Sequence, residues 1–185
     1  MKIIKCVNSL FGIVAVALLV VLFPHIALLQ EQPTNWDVYI SPHGGCTDGI
    51  IRELNKAKST ILVQAYSFTS APIAKALLNV HKRLVKVEVI LDKSQRTQKY
   101  SSATFLYNSG IPTKIDAQHA IAHNKVMVID GETVITGSFN FTKAAEESNA
   151  ENLLVIRDKK VAERYIKNWQ EHAKHSEMYA GRENR

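Results

Sequence analysis

Residues 123–140 read HNKVMVIDGETVITGSFN, and this stretch decides how the rest of the chain is read. Ala122–Ile129 and Glu132–Thr136 are apolar, β-branched runs that predict two strands. Asp130-Gly131 between them is a strong signal for a two-residue hairpin turn. In such a hairpin the numbers of facing residues sum to 261, so Lys125 faces Thr136 and His123 faces Ser138. His123 and Lys125 stand two apart on one strand and point to one face, and Asn140 lies two beyond Ser138 on the same side. One hairpin is therefore expected to gather an imidazole, an ammonium, a hydroxyl and a carboxamide on one patch.

That set suits chemistry at phosphorus. An imidazole can attack phosphorus or move a proton near neutral pH. Lys125, Ser138 and Asn140 can hold non-bridging phosphate oxygens as charge builds in the transition state. Asp130 has the wrong parity to join His123 directly and reads as a turn and support residue of the site that could pair with a cation. Glu151, at the start of the next predicted strand, is a candidate to hold the second nitrogen of the imidazole.

Outward from the hairpin, strands and helices alternate. Strands are predicted at Trp36–Ile40, Thr60–Tyr66, Lys86–Leu91 and Asn152–Arg157. Helices are predicted from Thr47 or Asp48, as the capping residue, to Ala57, from Pro72 to Arg83, from Gln95 to Asn108, over Phe141–Ser148 and over Lys159–Lys174. The pattern implies an α/β fold: a mixed, mostly parallel sheet flanked by helices on both faces, with the closing hairpin as the antiparallel element.

The chain has 185 residues, enough for one domain and an appendage. Lys2 and Lys5 precede an apolar run from Leu10 to Phe23 that extends, through Pro24 and His25, to Leu29. A positive start followed by such a run signals export or membrane insertion, as a cleaved signal or a retained anchor, with the domain outside the cytoplasm in a periplasmic or membrane-anchored position. Residues 31–35 are a polar linker, 36–175 the domain, and 176–185 a polar tail. The formal charge is +6, or +4 once the two N-terminal lysines are set aside, a balance that suits an anionic partner. Cys6 and Cys46 are too few for a disulfide framework or a Cys-rich zinc module, and Cys46 is read as structural.

The spacing His-x-Lys-x4-Asp-x6-Gly-Ser-x-Asn, carried by His123, Lys125, Asp130, Gly137, Ser138 and Asn140, resembles the HKD motif of the phospholipase D superfamily at every position. Six fixed positions recur by chance in roughly one in 10^8 registers. Ala65-Tyr66-Ser67-Phe68-Thr69, the run Gly137–Ala145 and Glu151-Asn152 look like the small bacterial endonucleases of that superfamily, over about residues 36–172. The resemblance implies one motif per chain and a homodimer that pairs two motifs in one site. One His123 would form a phosphohistidine with DNA or RNA as substrate, and the other would protonate the leaving oxygen and then activate water. Glu151 would orient the histidine. It implies no cofactor and no metal, and the sequence offers no ligand cluster at a recognised spacing. A phospholipase acting on lipids such as cardiolipin is the alternative within the same superfamily.

Lys93, Arg96 and Lys99 follow a strand end, where α/β folds bind ligands, and are candidates to track a phosphate backbone. His119 is read as a loop surface residue, and His43, His81, His172 and His175 as surface groups. Tyr165 and Trp169, four apart, read as core.

Overall fold

The computed structural model describes residues 35–181. The apolar N-terminal run, and with it the export or anchor reading, lies outside the described residues. Among the described residues no helix is long and apolar enough to cross a membrane.

In chain order the elements are β1 (Trp36–Ser41), α1 (Cys46–Lys56), β2 (Thr60–Ala65), α2 (Ala71–Lys82), β3 (Lys86–Asp92), a short 3-10 turn (Lys93–Arg96), α3 (Ala103–Asn108), β4 (Thr113–Asp116), β5 (Lys125–Ile129), β6 (Thr133–Gly137), α4 (Lys143–Glu147), β7 (Glu151–Arg157), α5 (Lys159–His175) and β8 (Glu177–Met178). They form one eight-stranded sheet in the order β1-β7-β6-β5-β2-β3-β4-β8.

The α/β class and the mixed sheet are as the sequence implies, but the balance of directions is not. Only β2–β3 and β3–β4 are parallel; the other pairings are antiparallel. The reason is connection length. The segments holding α2 and α3 are long enough for a crossover between parallel strands, whereas β5–β6 and β6–β7 are joined by a tight turn and by a segment with a five-residue helix.

Both faces are covered. Ile61, Val63, Ala65, Met127, Ile129 and Ile135 share a core with Ile50 and Leu54 of α1, Ile73 and Leu77 of α2 and Leu106 of α3. Val126, Val128 and Val134 point the other way, against Ala162, Tyr165 and Ile166 of α5. This explains why β5 is apolar at successive positions: KVMVI is buried throughout. Trp169 is core, its indole N–H donating to the Val63 carbonyl at 3.0 Å.

The hairpin register differs by one from the sequence expectation. Asp130 and Gly131 do adopt the two positive φ angles of the expected turn, 54° and 68°. The Glu132 N–H closes it on the Ile129 carbonyl at 3.0 Å. The ladder, however, resumes at Ile129↔Thr133, which leaves Glu132 as an extra residue and places Val126, not Lys125, opposite Thr136.

Other local departures have local causes. The α1 N-cap is Gly45, which has no side chain to cap with; Glu146 of α4 reaches in and accepts from Gly45 N–H at 3.1 Å and Thr47 N–H at 2.7 Å. The helix expected from Gln95 to Asn108 is broken, because the buried Gln95 carboxamide oxygen accepts from Phe68 N–H at 3.3 Å and from Ser101 Oγ at 3.0 Å. The tail expected from residue 176 instead opens with β8 on the sheet edge, and Tyr179 is buried.

Candidate active site

Strand direction assembles the site. β5 and β7 start, and β1, β2, β3, β4 and β6 finish, at the same end of the sheet. That end carries Tyr66, Asp92, Asp116, His123, Lys125, Ser138 and Glu151, each at or just beyond a strand terminus. Asp130 lies at the opposite end of β5, about 17 Å away at the rise of a strand.

His123 is exposed and sits in the loop before β5, not on the strand as expected. Its ring packs on Tyr66 at 4.5 Å between centroids. Lys125 is buried to 6% exposure, and its ammonium donates to the His123 carbonyl at 2.9 Å while lying 5.1 Å from the centre of the Tyr66 ring. Burial pulls the Lys125 ammonium below the usual lysine range, and the negative charge of Glu151 opposes that shift. The imidazole is thus fixed through its own carbonyl and ring face. Tyr66 is a functional contact that the strand reading of Thr60–Tyr66 left unassigned.

Gly137 ends β6 at φ 151°, and a Cβ there would stand 2.2 Å from the Asn152 carbonyl oxygen. The turn re-aims the following residues. Ser138 N–H donates to Asn152 Oδ1 at 2.9 Å, and Ser138 Oγ accepts from Asn152 N–H at 3.1 Å. Asn140 is half-buried, and its Oδ1 has no hydrogen-bond partner among the described residues. A buried amide atom in that condition is costly unless a ligand completes it. Glu151 neighbours Lys125 electrostatically and accepts from Asn149 Nδ2 at 3.3 Å; its expected bond to the histidine is not among the hydrogen bonds of the described residues.

Asp130 proves to be the support residue. Its carboxylate accepts from the N–H groups of Lys58, Ser59 and Thr60 and from Ser59 Oγ, at 2.8 to 3.0 Å. It pairs with backbone rather than with a cation, and it pins the start of β2 to the hairpin tip. Distance from His123 removes it from the reacting groups.

The basic residues divide. Lys93 and Arg96 line an open cavity of about 450 Å³ with Tyr66, Asp92, Ser94, Thr97, Ala120 and Ile121. Lys93 donates to the His119 carbonyl at 3.0 Å, and Arg96 pairs with Glu177. Lys99 is not part of that lining and lies over Tyr100 at 5.5 Å. Asp92, fully inside the fold, accepts from Ser94 N–H at 2.9 Å and Ala122 N–H at 2.7 Å. It ties the basic turn to the residue before His123, a positioning role that nothing in its sequence surroundings signals.

Three histidines read as surface groups are not scattered. His119, His172 and His175 converge on the buried carboxylate of Asp116, with one ligand atom of each residue within 4.8 Å of the others. The reading of no ligand cluster is corrected here: Asp116 and His119 belong to one end of the sheet, and α5 carries the other two across more than 50 residues of sequence. Cys46 is buried at the start of α1, where burial and the charge of Glu146 push its thiol up to about 11.

Comparison with known proteins agrees with this arrangement. The profile of the family described as "Cardiolipin synthase, PLD-like domain" matches residues 50–173. A protein named phospholipase D from Rickettsia typhi is 43% identical over 145 residues, covering 78% of this chain and 71% of that protein. A protein named mitochondrial cardiolipin hydrolase from Xenopus laevis is 32% identical over 121 residues, covering 65% of this chain and 58% of that protein. Among solved structures, Nuc from Salmonella typhimurium, titled a phospholipase D family member, superimposes with a TM-score of 0.76 at 39% identity, covering 80% of this chain and 98% of the other. With its motif complete and its sheet matching that of Nuc, the chain belongs to the phospholipase D superfamily and is one of its phosphodiesterases.

Proposed function

We propose that this phosphodiesterase is an endonuclease that cleaves DNA through a phosphohistidine on His123, acting as a homodimer outside the cytoplasm. The observation that carries the reading is the open cavity in which Lys93 and Arg96 stand with Tyr66, the residue whose ring packs on His123. Cations beside an aromatic ring in an open cleft suit a single-stranded phosphate backbone.

In the first step a ring nitrogen of His123 attacks phosphorus, the P–N bond forms, and the P–O bond to one sugar breaks. The departing oxygen takes a proton from His123 of the partner subunit. In the second step that same imidazole removes a proton from water, the water oxygen bonds to phosphorus, and the P–N bond breaks. Lys125, Ser138 and Asn140 would bind the phosphoryl oxygens, the open carboxamide of Asn140 gaining its missing partner. A second histidine is required because acid and base act on opposite sides of phosphorus. A two-fold axis that brings two copies of His123 together would supply it.

A second reading, lipid hydrolysis, is favoured by the names of the relatives from Rickettsia and Xenopus. The deciding experiment uses the full-length chain in detergent with single-stranded DNA, double-stranded DNA and cardiolipin vesicles, wild type beside His123→Ala. DNA cleavage without added metal is expected, slowed by about 10^3-fold or more in the variant. Headgroup release from vesicles without DNA cleavage would install the lipid reading. DNA cleavage that persists unchanged in His123→Ala would remove the phosphohistidine. The extracytoplasmic placement rests on residues 10–29 and is checked by protease access to the domain in intact cells.

A further inference from the structure

We propose that Asp116, His119, His172 and His175 form a structural site for a divalent transition-metal ion of the zinc type, which fastens the loop leading to His123 onto α5. The site shares no residue with the catalytic motif, and its existence does not depend on which diester is cleaved.

The geometry points inward from four sides. Asp116 sits at the end of β4 with no solvent exposure, and His119 lies three residues on. His172 and His175 are three apart near the end of α5, and so share a helix face. Nδ1 of His172 lies 2.6 Å from Asp116 Oδ2, Nδ1 of His119 3.1 Å, and Nε2 of His175 3.3 Å. The three rings stand 4.7 to 5.4 Å apart.

As a purely hydrogen-bonded cluster this arrangement leaves the carboxylate no spare capacity. Each carboxylate oxygen offers about two lone-pair sites. Oδ1 accepts from Gln118 N–H at 3.1 Å and faces His119 Nδ1 at 3.3 Å, while Nδ1 of His119, Nδ1 of His172 and Nε2 of His175 all approach Oδ2. The surplus is visible: Nε2 of His175 is buried and makes no hydrogen bond among the described residues, although the carboxylate is its near neighbour. Charging all three rings to satisfy one acid would set like charges against one another. A cation at the point of convergence uses all four lone pairs at once. A tetrahedral zinc ion with bonds of about 2.0–2.1 Å separates its ligands by roughly 3.4 Å, between the 2.6 Å of the His172–Asp116 contact and the 4.8 Å that bounds the cluster.

The donor set names the class of ion. Three imidazoles and one carboxylate suit zinc, copper or nickel rather than magnesium or calcium. Four protein ligands describe a closed, structural site rather than a catalytic one with an open position. Its effect would fall on the loop from residue 117 to 124. Lys93 already holds the His119 carbonyl, and Asp92 holds Ala122 N–H. A metal would add a cross-link from that loop to α5, four residues before His123.

The test uses the full-length chain in detergent, stripped with chelator and titrated with Zn²⁺. Metal content is read by mass spectrometry, affinity by a competing chelator, and melting temperature by circular dichroism. We expect one zinc per chain and a rise in melting temperature on the order of 5 °C or more. His119→Ala, whose ring is the most exposed of the three, should fold and lose affinity by roughly a hundredfold or more. The pair His172→Ala with His175→Ala should hold no zinc. His123→Ala, inactive under the reading above, should keep its full zinc content. The proposal is overturned if stripped wild type takes up no zinc at about 10 µM. It is equally overturned if His119→Ala binds as tightly as wild type, or if zinc is lost in His123→Ala and kept in His119→Ala.

Discussion

At the scale of single residues, type and role separate. His123 and Lys125 were legible from spacing because both lie at one strand end, within three residues of each other. Asp130 was legible as a turn and support residue, but its partners were not. Its acceptor role involves Lys58, Ser59 and Thr60, some 70 positions earlier, and no local pattern announces such partners. Replacing it with alanine removes the acceptor of three N–H groups, those of the exposed Lys58 and Ser59 and of the half-buried Thr60, at a cost of about 0.5–1.5 kcal/mol. Asp130→Ala should therefore lower the urea midpoint while the surviving folded fraction keeps its turnover number. A variant of unchanged stability and abolished turnover would return Asp130 to the reacting groups. The histidines near Asp116 were misread because their proximity comes from the packing of β4 and α5, not from spacing.

At the scale of elements, strands with continuous apolar runs and the amphipathic helices α1, α2 and α5 were readable from periodicity. The short ones were not. β4 spans four residues and β8 two, too few to show a period, and both take their place from the edge they pair with. The one-residue shift in the hairpin was also hidden, since Glu132 is an ordinary polar residue in a turn. Gly137 is where β6 must stop, and a methyl group there would collide with the Asn152 carbonyl. Gly137→Ala should cost activity first, because Ser138 and Asn140 follow the bend. The expected readout is a fall in kcat larger than the loss in stability explains. Glu146 offers a second element-level test. It caps α1 from about 100 residues away, so Glu146→Ala should destabilise by about 1 kcal/mol although it touches no substrate-facing group. Equal melting curves for variant and wild type would show that water serves the cap as well.

At the scale of the whole molecule, ionised carboxyls act as ties between distant segments. Burial by itself would raise the Asp130 carboxyl, but its four donors win and hold it below the usual range. Glu53 behaves alike: burial raises it, and Lys56 and Arg157 more than compensate. Arg157 also bonds Asp37, joining β7, β1 and α1. A depressed carboxyl lends stability above its unfolded-state value, near pH 4, and loses it as pH falls through the lower folded value. The melting temperature should be flat from about pH 7 to 5 and fall below about pH 4, with a shallower fall in Asp130→Asn. Parallel acid limbs in the two proteins would refute that share. The order of the strands has a further consequence, for time rather than for energy. Trp36 pairs with Ile156, and Ile61 with Ile129, so the sheet closes only through contacts far apart in the chain. Such topologies fold slowly, on a scale of milliseconds to seconds. A ribosome delivers β1 and β6 before β7, the strand that lies between them. Until β7 arrives, both carry open ladders that a neighbouring nascent chain could fill, and a chain cut short before Glu151 should accumulate as aggregate.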